Sequence, residues 1–493
     1  MKSCSSVQRK AMLRCHLSNL ALHGSKLEAR KGQIQMAKLC FSLLLLLQLQ
    51  LCMQLIDSRS TVKFLPGFQG PLSFELETGY VGVGESEDAQ LFYYFVKSEK
   101  NPKEDPLLLW LTGGPGCSAF SALVYEIGPI NFNILEYNGS LPTLHLNPYS
   151  WTKEASILFV DSPVGTGFSY ARTPLASQTG DFKQVHQVDQ FLRKWLMDHP
   201  EFLSNTFYVG GDSYSGITVP PLVQQISNGM ATMSFGYGHA ENEEGIKPLI
   251  NLQGYILGNP KTDKIVDKNS QIPFAHGMGL ISNELYESLK ITCGGDYANI
   301  DPSNVDCLND NQAFSELISG LDQNHILEPH CPFFSPKPRD SNGKRRSLND
   351  NEKSQEFLDP EPALPSIGCR SFGYMLSQNW ENDYNVRKAL QIRQGSKGKW
   401  QRCNYDLPYT EEIGSSFSYH VSLSTKGYRT LIYSGDHDMV VPFLGTEAWI
   451  KSLNYSIIDD WRPWILHSQV AGEEDTSLPS TGLQNVMLCF KDG

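Results

Sequence analysis

Gly210-Gly211-Asp212-Ser213-Tyr214-Ser215-Gly216 carries the residue types of nucleophilic chemistry. A serine at a sharp turn between a strand and a helix projects its hydroxyl above the sheet, and the N–H groups that open the helix face the oxygen of the carbonyl it would attack. The pattern G-x-S-x-G is nearly met, since the fifth position is Ser215 and the glycine follows at Gly216. A plain Gly/Ser turn has the same composition, so the motif depends on its surroundings. Asp436-His437-Asp438 is the second cluster. An aspartate on the loop after a late strand can orient a catalytic histidine, and the Gly-x-x-Asp spacing from Gly435 favours Asp438 over Asp436. The reading in which these aspartates only cap a turn stays open. Asp436-His437-Asp438 also has the composition of metal ligands, but consecutive side chains diverge on an extended backbone, so no metal is expected.

The elements that must position these residues are visible as short apolar runs. Phe207-Tyr208-Val209 precedes the serine turn and Ile217, Val219, Leu222, Val223 and Ile226 follow it at helical spacing. Leu107 to Leu111 runs into Thr112-Gly113-Gly114-Pro115-Gly116, and Ile157 to Val160 runs into Asp161-Ser162-Pro163-Val164-Gly165-Thr166-Gly167. Between that loop and the serine, Val185, Val188, Phe191, Leu192, Trp195 and Leu196 predict a helix closed by His199-Pro200. Leu252 to Leu257 ends in Gly258-Asn259-Pro260, and Thr430 to Tyr433 ends in Ser434-Gly435-Asp436. Strands alternating with helices predict an α/β fold with a parallel sheet. In such a sheet the loops at the carboxyl ends meet in one crevice, which brings Gly113-Gly114, the serine turn and the 436–438 loop together.

The 493 residues are 40% hydrophobic, enough for a large core, and carry a formal charge of -12. With no basic block longer than Lys344-Arg345-Arg346, no nucleic-acid partner is expected. The apolar run from Leu39, broken by Gln48, Gln50 and Gln54 and ending at Asp57-Ser58-Arg59-Ser60, suits a signal peptide better than a stable membrane span. Met36-Ala37-Lys38 makes the better start, so the preceding residues read as an upstream extension. Secretion would place Cys117, Cys293, Cys307, Cys331, Cys369, Cys403 and Cys489 where disulfides form, with one cysteine left over. Sequons at Asn138 and Asn454 are compatible with that route.

Five motifs in order resemble the plant serine carboxypeptidase-like family (peptidase family S10 type). They are Trp110 to Ser118, Asn147-Pro148-Tyr149-Ser150-Trp151, Asp161 to Tyr170, the serine turn, and Tyr433 to Pro442, within a match running from about Lys63 to about Gly472. The resemblance implies an α/β-hydrolase fold, a mostly parallel central sheet flanked by helices, with an inserted helical cap. The expected organisation is an N-terminal extension and signal peptide over 1–60, core over 61–260, and the cap over 261–428 with an exposed linker at 336–362. The second part of the core follows over 429–472, and an atypical tail over 473–493. Carried over residue by residue, Ser213 is the nucleophile, Asp438 the triad acid, and the N–H groups of Gly114 and Tyr214 the oxyanion hole. Thr112, Gly113, Asp212 and Glu126 are the substrate-binding positions. The implied bridges are Cys117–Cys403, Cys293–Cys307 and Cys331–Cys369, leaving Cys489 odd. No cofactor is implied, and the location is the secretory pathway, extracellular or vacuolar.

Two departures bear on substrate. Family peptidases hold a peptide carboxylate with an asparagine before Gly-Gly-Pro-Gly and a glutamate before the nucleophile, where this chain has Thr112 and Asp212. That pair is similar to the acyltransferase branch, which moves a phenolic acyl group from a glucose ester to an alcohol. The expected partners are therefore a small-molecule acyl ester and an alcohol acceptor, or alternatively a peptide C-terminus. A third departure bears on activity. The family's catalytic histidine lies in a Gly-Gly-Gly-His segment after one more strand, and this sequence has no such segment; His467, the only histidine after Asp438, stands before that strand. A catalytically inactive binding homologue is the alternative of another class, and loss of the last strand is expected to expose the sheet.

Overall fold

The computed structural model describes residues 59–234, 247–331, 366–466, 469–478 and 485–490. The signal run, the linker with Lys344-Arg345-Arg346, and His467 lie outside the described residues.

The main sheet contains β1 (Arg59–Val62), β2 (Leu76–Val83), β3 (Ala89–Val96), β4 (Leu107–Leu111), β5 (Ser156–Val160), β6 (Phe207–Asp212), β7 (Leu252–Gly258), β8 (Arg429–Gly435), β9 (Ser456–Leu466), β10 (Gln469–Leu478) and β11 (Asn485–Phe490). Their order is β1-β2-β3-β5-β4-β6-β7-β8-β11-β10-β9. Pairing is parallel from β5 through β4, β6, β7 and β8 to β11, and antiparallel at both flanks.

β4 shows why the central strands are continuous apolar runs. Leu107, Leu109 and Leu111 point to one face, Leu108 and Trp110 to the other, and all five are buried. A strand covered on both faces has no solvent side to alternate toward. On the first face lie α1 (Asp181–Asp198), through Val185, Val188, Leu192 and Trp195, and α2 (Ser215–Ser234), through Val219, Leu222, Val223 and Ile226. On the second, Phe120 stacks on Trp380 at 5.3 Å and meets Trp400 edge-on.

Between β7 and β8 the chain inserts α3 (Lys264–Gly277), α4 (Asn283–Cys293), α5 (Val305–Ile318), α6 (Arg370–Glu381), α7 (Tyr384–Ala389) and α8 (Phe417–Thr425). Ile272, Phe274, Leu289, Phe314 and Ile318 give the first three of these helices a core of their own, and Cys293–Cys307 ties α4 to α5. This layout is the α/β-hydrolase fold. Beyond β8, α9 (Phe443–Ser452) leads to β9, β10 and β11.

The last strand corrects one expectation. The sequence after Gly472 departs from the family motifs, yet Asn485–Phe490 pairs parallel with β8 and antiparallel with β10. Its sequence, Asn-Val-Met-Leu-Cys-Phe, is a short apolar run of the kind that fills a buried strand position, whatever motif surrounds it. The sheet edge beside β8 is therefore occupied.

Candidate active site

Parallel register alone assembles the site. Leu111 of β4 pairs with Gly211 of β6, Asp212 pairs with Gly258 of β7, and Gly258 pairs with Tyr433 of β8. Four strands thus end side by side, and the loops that begin at Thr112, Ser213, Asn259 and Asp436 share one end of the sheet.

Ser213 sits at the turn between β6 and α2 with φ of 55°, the left-handed region that a non-glycine residue adopts at a strained elbow. Its conformation is held from three sides. The Ser213 N–H donates to Gly258 O at 2.9 Å, and Ser213 O accepts the N–H groups of Gly216 at 3.0 Å and Lys261 at 2.9 Å. Ser215 Oγ donates to Leu111 O at 2.9 Å, which locks the start of α2 onto the end of β4.

The glycine loop packs directly on this elbow. A Cβ placed on Gly113 would meet Ser213 Cβ at 2.7 Å and both Asp212 O and Tyr214 N at 2.8 Å, so only glycine fits. Gly114, next in the loop, is exposed. Cys117 N–H closes the loop onto Gly113 O, and the Cys117–Cys403 disulfide, flanked by Ser118 N–H to Arg402 O and Asn404 N–H to Gly116 O, fastens it to the inserted segment. Cys331–Cys369 is the third bridge, so the three disulfides are the pairs implied by resemblance. From beneath, buried Asp161 accepts the Ser118 hydroxyl at 2.6 Å and the N–H groups of Ala119 at 2.9 Å and Phe168 at 2.8 Å. Burial pushes this carboxyl up to about 6 against those donors.

Asp438 is the aspartate aimed at the strand ends. Its Oδ1 accepts the N–H groups of Val440 at 2.7 Å and Val441 at 3.1 Å, and its Oδ2 accepts Asn259 Nδ2–H at 2.9 Å. Burial pushes its carboxyl up to about 6, opposed by these donors. Asp436 instead lies 3.5 Å from His437 Nδ1, on the side where His437 meets His325 of the inserted segment. Among the described residues, no hydrogen bond joins a histidine to Ser213 or to Asp438. No group of three or more His, Cys, Asp or Glu among them is placed to hold a metal ion.

Of the positions expected to bind substrate, Gly113 packs on the elbow and Thr112 follows the strand end that pairs with Gly211. Thr112 Oγ1 and Asp212 Oδ1 are buried without a hydrogen-bond partner, as is Arg402 Nε. Glu126 presents exposed surface. Both carboxyls are raised: Asp212 to about 7 by burial against the Gly113 N–H, and Glu126 well above the usual range by burial and then by Asp212. The Asp212 charge thus opposes ionisation of Glu126.

Sequence reasoning missed Asp181. This fully buried residue opens α1 and accepts four donors: Tyr214 OH at 2.9 Å, Tyr409 OH at 2.6 Å, and the N–H groups of Glu412 at 2.6 Å and Ile413 at 2.8 Å. It ties the residue after Ser213 to the inserted segment, over 33 to 232 positions of sequence. Its only local signal is an acid in the first turn of a helix, which the macrodipole explains without reference to the site. Both sequons are exposed; Asn138 Oδ1 accepts the Ser140 N–H and hydroxyl, and Asn454 follows α9 with φ of 55°.

A serine carboxypeptidase family model (Peptidase_S10) matches residues 66–488, past Gly472 and into β11. Among curated proteins, serine carboxypeptidase-like 19 of Arabidopsis thaliana is 52% identical over 443 residues, covering 89% of this chain and 91% of the relative. Serine carboxypeptidase-like 4 of the same plant is 53% identical over 432 residues, covering 87% and 88%. Among solved structures, Kex1Δp, a prohormone-processing carboxypeptidase from Saccharomyces cerevisiae, aligns with a TM-score of 0.62 at 18% identity, covering 87% of this chain and 90% of that one. With a nucleophile elbow, a glycine loop packed on it and an aspartate held at the same strand ends, this chain belongs to the serine carboxypeptidase family.

Proposed function

We propose that this chain is a secretory-pathway acyl-transfer enzyme of the serine carboxypeptidase family, extracellular or vacuolar, with a glucose ester of a phenolic acid as donor and an alcohol as acceptor. Ser213 Oγ attacks the ester carbonyl, its bond to the carbonyl carbon forms, and the proton leaves Oγ for a base. The N–H groups of Gly114 and Tyr214 face the oxyanion. The carbon–oxygen bond to glucose then breaks as the base returns its proton to the sugar oxygen, and the acceptor hydroxyl repeats the sequence on the acyl-enzyme. Asp438 would orient a histidine base; the family's Gly-Gly-Gly-His segment is absent from this sequence, so turnover is expected to fall orders of magnitude below that of an intact triad.

The observation carrying the choice of substrate is Asp212 beside Thr112, where the peptidases' carboxylate-gripping asparagine and glutamate stand. Both side chains retain unpaired buried oxygens. A carboxypeptidase is the second reading, favoured by the raised pair Glu126 and Asp212, which could share a proton with a peptide carboxylate at acidic pH.

The test offers the purified chain a hydroxycinnamoyl-glucose ester with an alcohol, and separately a blocked dipeptide, while intact-mass spectrometry follows Ser213. Acyl-Ser213 from the ester is the expected result. Dipeptide release without ester turnover establishes the second reading, and no adduct from either substrate identifies an inactive homologue.

A further inference from the structure

Gly258-Asn259-Pro260 reads in sequence as a strand-ending turn, and Asn259 does more than turn the chain. Its φ is 38°, and its own N–H donates to Tyr433 O at 2.8 Å, one step beyond the paired Gly258 and Tyr433. An asparagine that serves only as a left-handed turn residue bonds its own backbone or water. Here both ends of the amide cross to the next strand's loop. Oδ1 accepts the Gly435 N–H at 3.1 Å and Nδ2 donates to Asp438 Oδ2 at 2.9 Å. One residue earlier, Gly258 O accepts the Ser213 N–H at 2.9 Å, so the same strand end is bonded to the nucleophile's backbone.

The two oxygens of Asp438 are held differently. Oδ1 is fixed locally by Val440 and Val441 of its own loop, whereas Oδ2 takes its hydrogen bond from Asn259. Rotation of the carboxylate about Cβ–Cγ is therefore set across the sheet. Glutamine in place of Asn259 would overreach, and aspartate would set two carboxyls against each other.

We propose that Asn259 is the positioning residue of the triad acid: its amide fixes the plane of the Asp438 carboxylate relative to the elbow of Ser213. This rests on the reading of Asp438 as the triad acid.

The test is Asn259→Gly, which removes the amide while suiting a left-handed φ, with Asn259→Asp as the isosteric second variant. Asp438 is titrated by carboxyl carbon NMR in protein labelled at aspartate, assigned with Asp438→Asn, beside a thermal melt. Of the charges near Asp438, Arg370 of α6, paired with Glu328, lowers its midpoint; Asp436 and His437 stand on its own loop, and His325 of the inserted segment meets His437. None of them changes in either variant. The Asp438 midpoint is expected to rise by about one pH unit in Asn259→Gly, because a donor to the charged form is lost, and further in Asn259→Asp. The melt of the glycine variant at neutral pH should fall, because the Gly435 N–H loses its acceptor and Asp438 loses a donor to its charged form. An unmoved Asp438 midpoint, whatever the melt does, would show that the amide does not hold the carboxylate and overturn the proposal. If the glycine variant does not fold, an unmoved midpoint in Asn259→Asp does the same. Neither reading requires turnover, so an inert Ser213 would refute the acyl-transfer function and leave this result standing.

Discussion

Asp181→Ala removes the acceptor of four donors from a fully buried position. The two backbone N–H groups, of Glu412 and Ile413, have no rotation by which to find another partner. At about 1–3 kcal/mol for each unmet donor, they cost about 2–6 kcal/mol together. The two tyrosine hydroxyls add less, since Tyr409 OH also reaches Gln184 Oε1 at 2.9 Å. Asp181→Asn should behave differently. Its amide oxygen can accept both backbone donors where Oδ2 does now, and its NH2 can face Tyr214 and Tyr409 once their hydroxyls turn to accept. Only charge assistance is lost, about 1 kcal/mol. Urea unfolding of wild type, Asp181→Asn and Asp181→Ala should give stabilities in that order. The rate of Ser213 phosphonylation should follow the same order, because the N–H of Tyr214 is one of the two proposed oxyanion donors. An alanine variant within about 0.5 kcal/mol of wild type, or an asparagine variant as damaged as the alanine one, would refute the reasoning.

Other perturbations have equally definite outcomes. Asp212→Asn tests the raised acid by its pH dependence. A carboxyl that titrates near 7 when folded and near 3.8 when unfolded binds more protons in the folded state, so it subtracts stability as pH rises from about 4 to about 7. Urea titrations should show the variant gaining on wild type through that window, and parallel curves would refute the assignment. Gly113→Ala places a Cβ at 2.7 Å from Ser213 Cβ, and should abolish phosphonylation even where circular dichroism reports a folded chain. Replacing Cys117 and Cys403 by serine opens a loop with a separation of 286 residues. The chain-entropy relation puts the loss at about 5.6 kcal/mol, which a urea midpoint would register.

What the sequence made legible follows from how local the physics is. The strands ending at Leu111 and Asp212 are short apolar runs largely buried on both faces, the one ending at Gly435 alternates buried and half-buried positions from Thr430 on, and each announces its loop with glycines. Register then does the rest, which is why the sequence alone puts Ser213 and Asp438 at the same end of the sheet. Asp181 was illegible because its value lies in partners from Tyr214 to Ile413 that come together only in the fold. Asn259 was legible as a turn and silent as a partner of Asp438, since nothing at 258–260 indicates which loop its amide will face. The tail misled for the opposite reason: motif loss after Gly472 reads as loss of a strand, whereas strand pairing asks only for a run of suitable residues.

The central claim is that Ser213 is a nucleophile held at an elbow with oxyanion donors beside it. A fluorophosphonate probe on the purified chain tests it most directly, with peptide mapping of the adduct and Ser213→Ala as control. The account predicts one phosphonyl group on the peptide carrying Ser213, lost in the alanine variant. A wild-type chain that stays unlabelled, or that labels equally well without Ser213, would contradict it.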